Sequence, residues 1–248
     1  MRDLDLQYTH QLAEDFWWFR GMRRITASWI GDLRPQTVLD AGCGTGFHLF
    51  WLRGRLGARR IAGIDISMTA LQLARGRQAG AGLAQASIVD LPFAGGSFEL
   101  ITSFDVLSQV RLDLAPAALS EWHRVLRTGG HLFVRAPAGA WLRSSHDEEL
   151  QTHTRFSRPQ LCALLSGAGF DVLRSSYANF LLFPVAAARR LLKRTGLFAG
   201  SDVRPLPGAL AFLEPLFLQA LNLEARLLAR DAFSFPFGLS LIALARKR

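Results

Sequence analysis

Short apolar runs alternate with helical stretches from residue 37 to about residue 179. The runs have the length of buried strands, and the stretches between them repeat apolar residues with helical spacing. The predicted strands are 37–40, 60–65, 85–89, 98–104, 130–136 and 170–179. The predicted helices are 47–56, 68–78, 114–127 and 158–168, with stops at Gly129-Gly130 and at Gly167 and Gly169. This alternation is typical of βαβ units, so an α/β fold with a mostly parallel sheet is predicted.

Two segments fall outside the α/β core, which is predicted to cover residues 35–179. Residues 1–34 are predicted to form an N-terminal helical lid that is rich in aromatic side chains. Residues 180–231 are predicted to form a helical cap, with helices near 183–193 and 210–230, inserted before a last core strand within 232–248. A chain of 248 residues is long enough for one large α/β domain with such additions, so a single domain is expected.

Composition indicates a globular protein, since 50% of the residues are hydrophobic and 20% are charged. The two cysteines, Cys43 and Cys162, are too few for a disulfide framework and favour a reducing, cytoplasmic location. The N-terminus lacks the basic-then-apolar order of a signal peptide. No uncharged run reaches the roughly 18 residues of a membrane span, although a peripheral membrane contact stays open.

The net charge of +9 has three interpretations. An arginine-rich balance suits RNA or anionic lipid, but it also arises when single arginines are scattered over solvated faces. The tightest basic cluster lies in the predicted cap and comprises Arg189, Arg190, Lys193, Arg194 and Arg204. Residues 183–194 are therefore the candidate for a peripheral membrane contact, and binding to nucleic acid is not expected.

The run from Val38 to Gly46 carries the main chemical signal. A buried strand gives way to a turn with glycines at Gly42, Gly44 and Gly46, and a helix begins near Phe47. Alternating glycines let the backbone pass close beneath a ligand, and the helix points its amides and its positive dipole end toward that ligand. A dinucleotide fingerprint requires glycine where Phe47 stands, so the spacing excludes that reading.

With Asp40 two places before the first glycine, this run resembles motif I of the class I S-adenosylmethionine (SAM) methyltransferases. Three further segments match that family in order: Gly63 to Ser67, Ile88 to Phe93, and the strand 98–104 with its loop Asp105-Val106-Leu107. The run E-W-H-R-V-L-R-T-G-G at 121–130 matches the helix and turn before the fifth strand. The resemblance implies a Rossmann-like seven-stranded sheet, helices on both faces and an antiparallel last strand.

The same resemblance implies SAM as cofactor and S-adenosylhomocysteine (SAH) as product, with no metal. Asp65 ends the second predicted strand, where a carboxylate can accept from both ribose hydroxyls. The family uses the acid after the third strand, here Asp90, to accept from the adenine amino group. The candidate cofactor-binding residues are Asp40, Gly42, Cys43, Gly44, Gly46, Asp65, Ile66, Asp90, Leu91 and Phe104.

One departure concerns the loop after the fourth strand, where many relatives carry Glu-His and this chain has Ser108-Gln109. No catalytic base is therefore carried over from that loop. His146 and His153 are the candidate general bases, because the segment after the fifth strand lines the acceptor pocket in this architecture. Together with Asp147, Glu148 and Glu149 they could instead bind a divalent metal or form a solvated acidic loop. His48, His123 and His131 are interpreted as structural.

The aromatic segment Phe16, Trp17, Trp18, Phe19 and Arg20, and residues 152–157 farther along, resemble a bacterial branch that acts on small or lipid-like metabolites. The aromatic segment is the candidate substrate lid, or simply a helix end packed on the core, and its rings could stabilise a sulfonium by cation–π contact. The prediction is SAM-dependent methyl transfer to a small, hydrophobic or lipid-linked metabolite. The alternatives are an RNA methyltransferase and a non-catalytic SAM-fold partner protein at the membrane. The oligomeric state stays open.

Overall fold

The computed structural model describes residues 15–77, 81–143, 147, 151–194 and 208–248. Its strands are β1 (Thr37–Ala41), β2 (Arg60–Asp65), β3 (Gly82–Gln85), β4 (Phe98–Phe104), β5 (Leu126–Pro137), β6 (Phe170–Ala178) and β7 (Ser240–Lys247). Its helices are α1 (Trp17–Ile30), α2 (Phe47–Leu56), α3 (Met68–Gly76), α4 (Ala115–Val125), α5 (Arg158–Gly167), α6 (Phe183–Arg194) and α7 (Glu214–Leu228).

The strands form one seven-stranded sheet in the order β3-β2-β1-β4-β5-β7-β6. Strands β1 to β5 pair in parallel, and β7 is antiparallel to both β5 and β6. The predicted Rossmann-like fold and its antiparallel last strand are therefore confirmed. The strand order reverses between β1 and β4, so the connections leave these strands in opposite directions and open a crevice at their carboxyl ends.

The predicted boundaries are wrong at the third strand and between the fourth helix and the fifth strand, and in both places strand pairing is the reason. The third strand is Gly82–Gln85 and not 85–89, because it pairs with β2, which ends at Asp65 opposite Gln85. Helix α4, predicted as 114–127, ends at Val125, since Leu126 already pairs with Phe98 on β4. The predicted stop at Gly129-Gly130 consequently lies inside β5, where the pairing with β4 shifts register.

The sheet is covered on both faces. Successive side chains along each strand point to opposite faces, as a pleated strand requires. Val38, Leu100, Phe133 and Ile242 face one layer, whereas Leu39, Ile101, Leu132 and Ala243 face the other. The first layer contains buried residues of α1, α2 and α7, and the second contains buried residues of α4 and α5. The sheet is thus the middle of three layers, and its carboxyl end stays accessible between them.

The helix of the predicted lid and the last helix of the predicted cap pack against each other. Gly21 on α1 lies so close to α7 that a Cβ there would come within 2.6 Å of the Leu221 Cβ. The indole N–H of Trp29 donates to the Leu228 carbonyl at 3.0 Å, and the Arg24 guanidinium donates to the Asn222 side chain. Residues far apart in sequence therefore build one layer over the sheet.

This close approach predicts a matched pair of glycine substitutions. Gly21→Ala should lower the free energy of unfolding by about 1–3 kcal/mol, because the added methyl overpacks the contact between α1 and α7. Gly54→Ala in α2 should be neutral or stabilising by about 0.5–1 kcal/mol, because no atom lies within 4 Å of its Cβ position and alanine is the better helix former. Urea unfolding of both variants measures the difference, and equal effects would contradict the close packing.

Candidate functional site

The glycine turn between β1 and α2 combines two tightly packed positions with one open position. All three glycines have positive φ, at 86° for Gly42, 53° for Gly44 and 77° for Gly46. A Cβ at Gly42 would lie 2.6 Å from a Val106 methyl, and a Cβ at Gly46 would lie 2.8 Å from the Ala74 Cβ. At Gly44 no atom lies within 4 Å of the Cβ position. The open side of the turn is therefore at Gly44, where a ligand can approach the backbone.

Asp65, at the end of β2, holds the turn in place. Its Oδ2 accepts from the Gly44 amide at 2.9 Å, and its Oδ1 accepts from the Ser67 amide at 2.9 Å. The amides of Gly42 and Cys43 both donate to the Ile64 carbonyl, at 2.9 and 2.8 Å. Three hydrogen bonds from the turn to the end of β2 thus fix the backbone on which the open glycine lies, and the Ser67 amide holds the Asp65 carboxylate in place.

Cys43 is a packing residue of this turn. Its side chain is buried, and burial raises the pKa of the thiol well above its usual range, with the carboxylates of Asp40 and Asp65 adding to the shift. A thiol kept protonated is a poor nucleophile. Cys43 therefore shapes the turn, as expected for a small residue at this position.

Asp40 lies fully buried at the end of β1, directly beneath the turn. Thr102 on β4 donates to Oδ1 at 2.8 Å, whereas Oδ2 is buried without a hydrogen-bond partner. Burial raises the pKa of this carboxyl to about 7; the Thr102 hydrogen bond and the charge of Arg135 act against that shift, and Asp65 adds to it. An unsatisfied carboxylate oxygen next to the open glycine suits a ligand that brings positive charge or an N–H donor.

The remaining candidate cofactor residues surround the same end of the sheet. Ile66 follows Asp65 and is 71% exposed, an unusual position for an isoleucine. Asp90 is exposed and lies in a turn five residues beyond the end of β3, followed by the buried Leu91. Phe104 closes β4, and its ring stacks on the His48 ring with centroids 4.0 Å apart. These side chains supply apolar surface and one carboxylate beside the glycine turn.

The aromatic segment lies at the start of α1 and contacts both α2 and α7. Phe19 packs edge-on against Phe47, the residue after the glycine turn, at 5.6 Å, and Trp17 packs against Phe217 of α7 at 5.2 Å. Phe16 is buried, and Arg20 is exposed. The first turn of α1 therefore adjoins the helix that follows the glycine turn, while the rest of α1 packs on the sheet, so the lid and packing interpretations are compatible.

Arg135 is the principal site residue that the sequence analysis missed. It lies two residues before the carboxyl end of β5 and is almost fully buried, with its Nε donating to Asp105 Oδ2 at 2.8 Å. Its guanidinium carbon lies 5.1 Å from the ring centres of both Trp18 and Phe104, and its Nη1 is buried without a partner. The available signal was a lone arginine in the apolar run L-F-V-R-A, since a buried charge must be paired.

Asp105 follows β4 at the crevice and has the strained backbone of a functional site. Its φ is 64°, a left-handed conformation that few side chains adopt. Two bonds hold it there, from its own amide to the Arg135 carbonyl at 2.8 Å and from the Ser108 hydroxyl to its carbonyl at 2.6 Å. Its carboxylate is partly exposed although Arg135 is not, so a fixed acceptor group faces the crevice.

The Arg135 charge also affects His48, the second residue of α2. Burial lowers the pKa of this imidazole well below its usual range, and the charges of Arg135 and Arg23 lower it further. Because Arg135 already occupies a face of Trp18, and Arg23 lies 4.5 Å from the Phe47 ring centre, the chain's own guanidinium groups use these rings for cation–π contacts.

The segment after β5 is anchored to the loop after β4. The amides of His153 and Thr154 donate to the Ser108 carbonyl at 2.8 and 3.1 Å. Asp147 and Arg155 form a buried ion pair at 2.8 Å, and Arg155 also donates to the Ala138 carbonyl. His153 is exposed and lines a cavity of about 840 Å³. The structure thus brings one candidate base to the loop that follows β4.

The other members of the predicted histidine and acid cluster, residues 146–149, do not form one site in the described residues. Asp147 is buried in its pair with Arg155, so for this residue the solvated-loop interpretation is wrong. His146, Glu148 and Glu149 lie outside the described residues. Within the ranges that the structure does describe, no group of three His, Cys, Asp or Glu side chains is placed to hold a metal ion.

Comparisons with known proteins find similar domains and similar whole chains. Residues 39–134 match the methyltransferase domain family. A probable SAM-dependent methyltransferase of Mycolicibacterium smegmatis is 30% identical over 163 residues, which are 65% of this chain and 62% of that protein. The demethylmenaquinone methyltransferase of Bacteroides fragilis is 30% identical over 168 residues, with 65% of this chain and 60% of the relative covered. The chain therefore spans about three fifths of the length of these curated relatives.

Solved structures show the same fold. The complex between the Haloferax volcanii Trm112 methyltransferase activator and a methyltransferase contains a chain that superposes with a TM-score of 0.64 at 18% identity. The superposition covers 98% of this chain and 96% of that one. The likeness in fold therefore extends beyond residues 39–134, the segment that matches the family.

The buried carboxyl of Asp40 predicts an unusual pH dependence of stability. Because its folded-state pKa is raised to about 7, the stability that the protonated form contributes is complete below about pH 4 and is lost as the pH rises through 7. Asp40→Asn keeps an acceptor for Thr102 and cannot ionise. The free energy of unfolding of the variant should therefore gain on that of the wild type as the pH rises from about 4 to 7.

Urea unfolding of both proteins across this pH range measures the effect. All other titrating groups, including His48, are common to the two proteins, so their difference isolates Asp40. Parallel stability curves would show that the Asp40 carboxyl titrates normally.

Proposed function

We propose that the chain transfers a methyl group from SAM to a small, hydrophobic or lipid-linked metabolite, through the core that matches the methyltransferase domain family over residues 39–134. The observation that carries the proposal is the open face of Gly44, fixed by the Asp65 carboxylate and underlain by the unsatisfied oxygen of Asp40. An ordinary βα turn needs neither an open glycine nor a buried carboxylate without a partner. A cofactor that carries positive charge and hydroxyl groups accounts for both.

The residues present fit SAM. The turn from Gly42 to Gly46 would lie beneath its methionine part, near Asp40. Asp65 would accept from the ribose hydroxyls, since each of its oxygens accepts one backbone bond and has a further lone pair. Ile66, Leu91 and Phe104 would pack against the adenosine, and Asp90 would accept from the adenine amino group.

The bound cofactor supplies a methyl group on a positively charged sulfur, and the chain must align an acceptor with it. Alignment of two reactants lowers a barrier by up to about 7–11 kcal/mol. The aromatic first turn of α1, packed on Phe47 and Phe217, would exclude water from this step. For an acceptor that must lose a proton, the candidate groups are His153, His146 and the fixed carboxylate of Asp105, and such a base adds a factor of about 10²–10⁴.

The proposed acceptor is hydrophobic because the chain exposes large apolar side chains beside the site. Trp141, which follows β5, and Phe237, which precedes β7, are both exposed at the carboxyl end of the sheet. One relative is a demethylmenaquinone methyltransferase, and the resemblance to small-molecule enzymes points the same way. The positive charge would also suit RNA, and the labelling experiment below separates the two.

A peripheral contact between residues 183–194 and a membrane is part of this proposal. These residues form α6, which carries four basic residues and no acid. No helix in the described ranges is long and apolar enough to cross a bilayer. A lipid-linked acceptor would then be met at the membrane surface.

The proposed cofactor site predicts that alanine substitution at two glycines with positive φ has different effects on SAH binding. Gly44 and Gly57 both have positive φ, at 53° and 66°, and neither has an atom within 4 Å of its Cβ position. Replacing either by alanine should cost about 1–2 kcal/mol of stability. Gly44→Ala should also weaken SAH binding by roughly tenfold or more, because its methyl fills the space of the cofactor, whereas Gly57→Ala should not.

Isothermal titration with SAH measures both affinities, and urea unfolding checks that the stability losses match. Equal SAH affinity in the two variants would place the cofactor away from the glycine turn. No binding of SAH to the wild type would overturn the cofactor assignment.

Methyl transfer is tested with methyl-labelled SAM and a cell extract that is divided into lipid, aqueous-metabolite, RNA and protein fractions. The proposal predicts label in the lipid or metabolite fraction with wild type and Gly57→Ala, and much less with Gly44→Ala. Label in RNA would show that the positive charge serves nucleic acid. Tight binding of SAH with no label in any fraction would favour a non-catalytic partner protein.

A further inference from the structure

We propose that an aromatic patch at the acceptor side of the sheet docks this chain onto the surface of an anionic phospholipid bilayer. The patch consists of Trp141, Phe180, Leu181, Phe183, Val185 and Phe237. The role of the patch rests on the proposed function, because a lipid-linked acceptor would enter there. Bilayer binding itself can be measured without knowing the acceptor.

The patch lies at the carboxyl end of the sheet, on the side away from the cofactor residues. Trp141 follows β5, residues 180–185 follow β6, and Phe237 precedes β7, which is antiparallel to both. All three segments therefore meet where β1 and β4 also end, at the glycine turn and Asp105. Cofactor residues surround β1, β2 and β4, and the patch surrounds β5, β7 and β6. The patch thus borders the half of the crevice that is left for the acceptor.

Ring contacts join the patch into one surface. Trp141 packs against Phe183 with ring centres 5.6 Å apart, Phe183 against Phe237 at 5.0 Å, and Phe237 against Phe180 at 4.6 Å. Yet Trp141 is 65% exposed, Val185 is 55% exposed and Phe237 is 45% exposed. Side chains of this size, clustered and open to solvent, are typical of a surface that contacts an apolar phase or a partner.

The fold holds this surface firmly from below. Phe180 stacks on the buried Phe235 ring at 4.7 Å, and Asn179 turns the chain with a φ of 58° while fully enclosed. The buried Glu224 of α7 accepts from the Leu181 amide at 2.8 Å. This buried carboxylate therefore fixes the backbone at the start of the exposed segment, which indicates a shaped surface.

The basic residues beside the patch indicate that its partner is an anionic bilayer. Helix α6 begins inside the patch at Phe183, and residues 180–201 contain Arg189, Arg190, Lys193 and Arg194 but no acid. Arg143 is exposed two residues after Trp141. Tryptophan and phenylalanine beside a basic helix suit the interface of a bilayer with anionic headgroups, where apolar burial and attraction to phosphate act together. A second copy of this chain would bring the same net charge of +9 and fits less well.

The test uses sedimentation with vesicles of phosphatidylglycerol and phosphatidylcholine, and with phosphatidylcholine vesicles alone. Wild type should sediment with the anionic vesicles at low salt and much less in high salt or with neutral vesicles. Leu181→Ser and Trp141→Ser should reduce the partition coefficient by roughly fivefold and tenfold. Leu173→Ser is the matched control, because Leu173 on β6 is 43% exposed, like Leu181 at 37%, but lies outside the patch.

A second measurement places the contact directly. Brominated phospholipid should quench the fluorescence of wild type, and Trp141→Phe should remove most of the quenching while it keeps most of the binding. Titration with SAH should give the same affinity for every variant, which shows that each is folded. If wild type bound vesicles but not SAH, the docking inference would stand and the proposed function would fail.

Three results would overturn the inference. The first is a wild type that does not sediment with anionic vesicles. The second is vesicle binding that falls equally in Leu181→Ser and Leu173→Ser, which would show that no particular surface is used. The third is a concentration-dependent dimer of the wild type that Trp141→Ser abolishes without any change in vesicle binding, since the patch would then join two copies of the chain.

Discussion

The hydrogen bonds between the glycine turn and the end of β2 are the constraint on which the rest of the site depends. Asp65 accepts from the Gly44 amide, and the Ile64 carbonyl accepts from the amides of Gly42 and Cys43, all in the turn that follows β1. They hold the backbone in a left-handed path that only glycine adopts cheaply. The start of α2, the position of Asp40 beneath the turn and the open face at Gly44 all follow from this one arrangement.

The second organising feature is the buried guanidinium of Arg135. A charge in the middle of a sheet is costly unless it is paired, and Asp105, Trp18 and Phe104 supply an ion pair and two aromatic faces. Through these contacts β5 is joined to the loop after β4 and to the first turn of α1. The residue therefore connects the proposed cofactor side of the crevice, the aromatic segment and the proposed acceptor side, and it helps to keep Asp105 in its strained conformation.

Much of the fold, and the glycine turn with an acid near the ends of β1 and β2, could be predicted from the sequence. Strands such as Phe98–Phe104 and helices such as Phe47–Leu56 have the predicted bounds, because local apolar pattern and glycine position determine them. The third strand was misplaced, since its end depends on β2, a partner that the local pattern does not contain. The segment after β5 was predicted poorly: Asp147 was left open between a metal ligand and a solvated acid, but it is buried against Arg155. Asp105, after β4, gave no signal of its strained backbone.

By itself the sequence determined the α/β class, the glycine turn and the acids at the strand ends, because these rest on chemistry between near neighbours in the chain. Only the tertiary structure decided which groups meet across long separations. It paired Arg135 with Asp105, joined Gly21 to Leu221, and gathered Trp141, Phe183 and Phe237 into one exposed surface. The physical reason is that burial, pairing and strain are properties of the assembled layers, and side-chain type and spacing do not carry that information.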